Sequence, residues 1–119
     1  MKKSNEEEIQ TIEKQLEIVQ WSHFITTLTE AILLTRLYKL QGESPGEWKI
    51  VEGVWIETFG KFIEADSVSK QVQNAHEFYD YLFQKQAISG DTIQTIGSII
   101  QLIGGVEVLK EFNIEGIIP

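Results

Sequence analysis

The chain has 119 residues, 42% of them apolar, no cysteine, and a formal net charge of −8 with a sequence pI near 4.7. That length can bury a core without covalent staples, and the missing thiols exclude disulfides, thiolate metal sites and cysteine nucleophiles. Ten Lys and Arg against eighteen Asp and Glu, with no basic stripe, argue against nucleic acid or an anionic membrane surface as partner.

Lys2 and Lys3 precede Glu6, Glu7 and Glu8, where a secretory signal would carry its apolar centre, so no leader is expected and a cytoplasmic location is. Ser4 and Glu7 have the spacing of a capping box and predict a helix from about 5 to 41. Its apolar residues fall at Ile9, Ile12, Leu16 and Val19. The stripe then shifts to Trp21, Phe24, Leu28, Ala31, Ile32 and Leu37, with a bend expected near Ser22 and His23. A helix this long should project beyond its neighbours, which makes Ile9, Ile12 and Leu16 candidates for contact with a second subunit. Gly42 is expected to end it in a left-handed conformation.

Ser44, Pro45 and Glu47 supply a cap, a first-turn proline and the acid of a second box. They predict a helix from 45 to 65 that buries Trp48, Val51, Trp55, Phe59, Phe62 and Ile63. Asp66 or Ser67 can cap a third helix, 68 to 86, with Val68, Val72, Ala75, Phe78, Tyr79 and Leu82 on its apolar side. Tyr81 and Phe83 widen that side, so Phe78 and Tyr81 are candidates for an exposed aromatic interface. The polar stretch 86–91 reads as a turn, and a fourth helix is expected from 92 to 112. The closing segment from Asn113 to Pro119 is expected to fold back over the core.

A seven-residue repeat organises the fourth helix. Ile93-Gln94-Thr95-Ile96-Gly97 is followed by Ile100-Gln101-Leu102-Ile103-Gly104, and Gly53 and Gly60 are spaced by the same seven residues. Ile93, Ile96, Ile100 and Ile103 form a stripe that should be buried. A glycine inside a helix costs roughly 0.5 to 1 kcal/mol against alanine, so its recurrence needs a compensating close approach. Gly53, Gly60, Gly97 and Gly104 are therefore the expected helix-packing residues. The expected fold is all-α, a four-helix antiparallel bundle of two hairpins forming one domain. The Ile-Gln-x-Ile-Gly segments resemble those of small repetitive helical proteins of Gram-positive bacteria, a group with no established activity. The resemblance implies a helical fold and brings no catalytic residue with it.

Chemistry-bearing motifs are sparse. His76 and Asp80 sit four apart without the companion ligands of a di-metal bundle, and no phosphate loop or nucleophile elbow occurs. His23, among Trp21, Phe24 and Thr27, is expected to be a buried, hydrogen-bonded residue. No enzyme, metal or cofactor is expected. The longest uncharged run, Thr92 to Val106, is shorter than the roughly 20 residues of a span, so no transmembrane helix is expected either. The expected function is a protein-interaction module that associates with itself as a homo-dimer or with another protein. One alternative is an immunity- or antitoxin-like protein neutralising a basic partner. Another is a bundle that binds an acyl chain in a cavity lined by Ile96, Ile100, Ile103 and Phe59.

Overall fold

The computed structural model describes residues 2–42, 44–73 and 77–114, with the side chains of 4–42, 44–73 and 80–112, and it is all α-helical. The described residues form three helices: α1 (Lys2–Gln41), α2 (Pro45–Gln73) and α3 (Glu77–Ile114). The expected four-helix bundle is thus replaced by three longer helices, because neither anticipated break occurs. At the first, Asp66 pairs with Lys70 one turn on (2.7 Å) and Ser67 donates back to the Ile63 carbonyl, so both are spent inside a continuing helix. At the second, Ser89 and Thr92 donate to the carbonyls of Lys85 and Ile88. A side chain able to cap is also able to back-bond within a helix.

The boundary between α1 and α2 lies where the local chemistry puts it. Gly42 has φ 83° and its N–H reaches the Tyr38 carbonyl at 3.1 Å, a left-handed cap. Ser44 accepts the Glu47 N–H at 3.2 Å. At the other end, α1 begins at Lys2, so Ser4 lies inside the first turn rather than before it.

α2 is the middle helix; α1 and α3 pack on it and not backbone to backbone on each other. Both run antiparallel to it. Tyr38 meets Trp48 at one end of α1, and Trp21 meets Phe62 and Ser69 nearer the other. The result is a rod of 67 × 24 × 21 Å with a radius of gyration of 19.2 Å, against about 13.5 Å for a compact chain of this length. The buried side chains are small: Ala31, Val51, Val54, Thr58, Ala65 and Ser67.

That architecture corrects the expected core. Trp48, Trp55, Phe59 and Phe62 were expected inside and are exposed, as are Ile96 and Ile103 of the repeat stripe. Among the described residues no fourth helix covers them. His23 is also exposed, its carbonyl accepting the Thr27 hydroxyl. The closing segment was expected from Asn113, but α3 continues through Ile114; His76, the side chains of Phe78 and Tyr79, and residues 115–119 lie outside the described residues.

Candidate interaction surface

The site begins with the seam between α2 and α3. Three glycine pairs meet across it in antiparallel register: Gly46 with Gly104, Gly53 with Gly97, and Gly60 with Gly90. A Cβ built on Gly53 would lie 2.5 Å from the Gly97 carbonyl oxygen, and one on Gly97 would lie 2.6 Å from that of Gly53. Each glycine thus turns its Cα–H toward the opposing carbonyl, a contact worth about 0.5 to 1 kcal/mol, which offsets the helix-propensity cost. Gly53, Gly60, Gly97 and Gly104 all lie on this seam. Gly46, at the start of the expected second helix, and Gly90, in the expected turn 86–91, continue the two heptad series by one step each.

Four residues beyond each central glycine stands a Glu on α2 or a Gln on α3. Gln101 donates to Glu57 (2.5 Å) and Gln94 to Glu64 (2.8 Å). One partner of each pair is neutral, which avoids facing carboxylates along most of the seam. The exception is Glu64, where burial and then a hydrogen bond with Asp91 hold the carboxyl above its ordinary pKa, opposed by Gln94 and Lys61. Asp66 is held below its ordinary value by hydrogen bonds from Lys70 and Gln86. Lys49 and Glu107 form an ion pair across the same seam, nearer the start of α2.

At about 100° per residue, the α3-facing positions of α2 (Gly46, Gly53, Gly60) and the α1-facing ones (Val51, Thr58, Phe62) are close to half a turn apart, so α1 and α3 flank α2 in a nearly flat layer. The three helices therefore have two unlike sides. One is a groove between α1 and α3; at one end it opens to about 690 Å³ among Leu16, Gln20, Val68, Val72, Tyr81 and Gln84. The side-chain oxygen of Gln20 is buried there with no partner among the described residues. Tyr81 is exposed at this mouth with the Lys85 ammonium 4.9 Å from its ring centroid.

The opposite side is apolar across its width. The Trp55–Thr35 and Thr58–Thr27 hydrogen bonds set the middle of α1 beside the middle of α2. The glycine pairs set the middle of α3 on the far flank. At this level helical periodicity brings Ile25 and Ile32, Trp55 and Phe59, and Ile96 and Ile103 to one side. All six are exposed, Phe59 at 59%. By the same periodicity, charges on this side lie toward the ends, among them Lys14, Arg36 and Lys39 on α1, Glu52, Asp66 and Lys70 on α2, and Lys85 and Glu107 on α3.

Other expectations resolve differently. The glycine seam is closed by backbone contact, so it encloses no acyl-chain cavity, and Ile96, Ile103 and Phe59 face the open surface. Ile9, Ile12 and Leu16 are exposed on α1, where every described side chain from Ser4 to Leu16 is. Because α3 continues through 86–91, its stretch Asp80–Phe112 is long and apolar enough to cross a membrane by length and composition, which a helix starting at 92 did not suggest. Among the described residues, no three His, Asp or Glu side chains gather as a metal site. Comparison with known protein families, with curated proteins and with solved structures finds no match.

Proposed function

We propose that this chain is a non-enzymatic, self-associating helical module. The glycine seam stiffens an α2–α3 hairpin, and its apolar surface meets another molecule of the same protein. One observation carries the reading: large apolar side chains lie uncovered at mid-length on all three helices at once. Ile25, Trp55, Phe59 and Ile103 are each more than 40% exposed. Single exposed apolar residues are ordinary, whereas a contiguous patch crossing three elements is the mark of an interface. Light scattering across a hundredfold concentration range tests it. A dimer is expected, and a monomer throughout would sink the reading.

The length and apolarity of α3 favour a second reading, in which that helix enters a bilayer. The seam weighs against it. Crossing with α2 attached would carry Glu52, Glu57, Lys61 and Glu64 to similar depth, each charge costing on the order of 2.5–3.5 kcal/mol near the centre of a span. Crossing alone would forfeit the glycine contacts and the Gln94–Glu64 and Gln101–Glu57 hydrogen bonds. Self-association satisfies the apolar surface without either loss.

A further inference from the structure

We infer that the second copy sits face to face on the apolar side formed by Ile25 and Ile32, Trp55 and Phe59, and Ile96 and Ile103, making a two-layer assembly of six helices. This placement rests on the self-association reading and specifies its surface.

Area is the first argument. A compact monomer of 13.6 kDa exposes about 6,600 Å², and this chain exposes 8446 Å², an excess of roughly 1,900 Å² over that expectation. A stable interface of standard size takes about 800 Å² from each partner, and obligate homodimers bury about 2,000–5,000 Å² in total. Two copies hiding their excess against each other would fall within the obligate class. A short peptide or a single docked helix would leave much of it in water.

The rim is the second argument. Lys14, Arg36 and Lys85 share the ends of this side with Glu52, Asp66 and Glu107, the last two already paired with Lys70 and Lys49. Such a rim is matched by a partner carrying both signs, which a second copy supplies. A uniformly basic partner, or an anionic surface, would leave part of it facing like charge. The third argument is the character of the middle. Aromatic rings on α2 lie between isoleucines on α1 and α3, the anchor residues that dominate interface energetics when desolvated. The groove side is mixed: at its wider end Leu16, Val68, Val72 and Tyr81 are interspersed with Gln20, Gln71, Gln84, Glu13 and Asp80.

Phe59→Glu is the deciding variant, with Ile32→Glu as an independent one on another helix and Leu102→Glu as control. Leu102 is 69% exposed on α3 but turned away from this side. All three would be checked for helix content by circular dichroism and weighed by sedimentation equilibrium. The expected result is a dimer in the wild type and in Leu102→Glu, with dissociation at least about thirty-fold easier in Phe59→Glu and Ile32→Glu, the scale of an interface anchor. A dimer that survives both of those variants, or that weakens equally in Leu102→Glu, overturns the placement while self-association stands. A wild-type monomer at every concentration overturns both. Flotation of that monomer with neutral phosphatidylcholine vesicles, lost in Phe59→Glu, would then assign the same side to a bilayer surface.

Discussion

Gly53 and Gly97 face each other so closely that neither could carry a methyl group: each Cβ position is occupied by the other's carbonyl oxygen, at 2.5 and 2.6 Å. Alanine is the better helix former by about 1 kcal/mol, yet at these positions it must push two backbones apart. Gly53→Ala and Gly97→Ala are each expected to destabilise by about 1–3 kcal/mol, the usual cost of overpacking. Gly105, one residue beyond the seam glycine Gly104, would place its Cβ in open space. Gly105→Ala is therefore expected to stabilise by about 0.5–1 kcal/mol. Urea unfolding at one fixed protein concentration compares them. Equal stability of Gly97→Ala and Gly105→Ala would remove the close approach from the account.

The contrast shows what the sequence made legible. A seven-residue glycine period pointed to backbone contact because only contact offsets the cost of glycine inside a helix. Gly46 and Gly90 belong to the same period but were left out of it, Gly46 because it sits in a helix's first turn beside Pro45, and Gly90 because Ser89 and Asp91 beside it are also turn residues. The breaks at 65–68 and 86–91 failed for a related reason. Asp66 and Ser67 can cap, but whether they do depends on Lys70, Gln86 and the Ile63 carbonyl, and Gln86 reaches Asp66 from another helix. The exposure of Trp55 and Phe59 was invisible to periodicity alone. A helix with apolar residues on two faces looks the same whether a third neighbour covers the second face or not.

The start of α2 is closed by a residue far away in sequence. The Glu111 carboxylate on α3 accepts both the Ser44 hydroxyl and the Gly46 N–H, the latter at 3.1 Å. The Ser44 hydroxyl accepts the Glu47 N–H, one half of the expected capping box, and Glu111 adds to it from α3. A carboxylate at a helix N-terminus also meets the positive end of the dipole. Glu111→Ala and Ser44→Ala should each cost about 0.5–2 kcal/mol, and the double variant less than their sum, because both belong to one network. Strict additivity in denaturant melts would show that the two act independently.

Acid should act on the seam in two opposite steps. Glu64 has a raised pKa in the fold, from burial first and then Asp91, so its contribution is present at low pH and is lost as pH rises through the raised value. Asp66 has a lowered pKa, chiefly from Lys70, so its contribution is present above the unfolded value and is lost as pH falls through the lowered one. Stability should therefore rise on mild acidification, just above the ordinary carboxylate range, and fall below it. Glu64→Gln is expected to flatten the first limb and Asp66→Asn the second, each changing stability at neutral pH by no more than about 1 kcal/mol for half-buried groups still screened by solvent. Urea midpoints over a pH series read both, and a Glu64→Gln profile that superimposes on the wild type in the upper window would refute the assignment.

The first turns of α1 supply the last test. From Ser4 to Leu16 every described side chain is exposed, whereas α1 meets α2 through residues such as Trp21, Phe24, Thr27 and Thr35. Removing residues 1–12 deletes helix that touches little of the remaining fold. The unfolding free energy should change by no more than about 0.5 kcal/mol, as for surface changes away from specific features, and the native mass should remain that of a dimer. Ile9 and Ile12 leave with the deleted segment, so a truncated chain that becomes a monomer would move the interface from the Phe59 side to the apolar stripe at the start of α1. Retention of the dimer, with only the far-ultraviolet helical signal reduced, would leave Ile9 and Ile12 as exposed residues of a projecting helix.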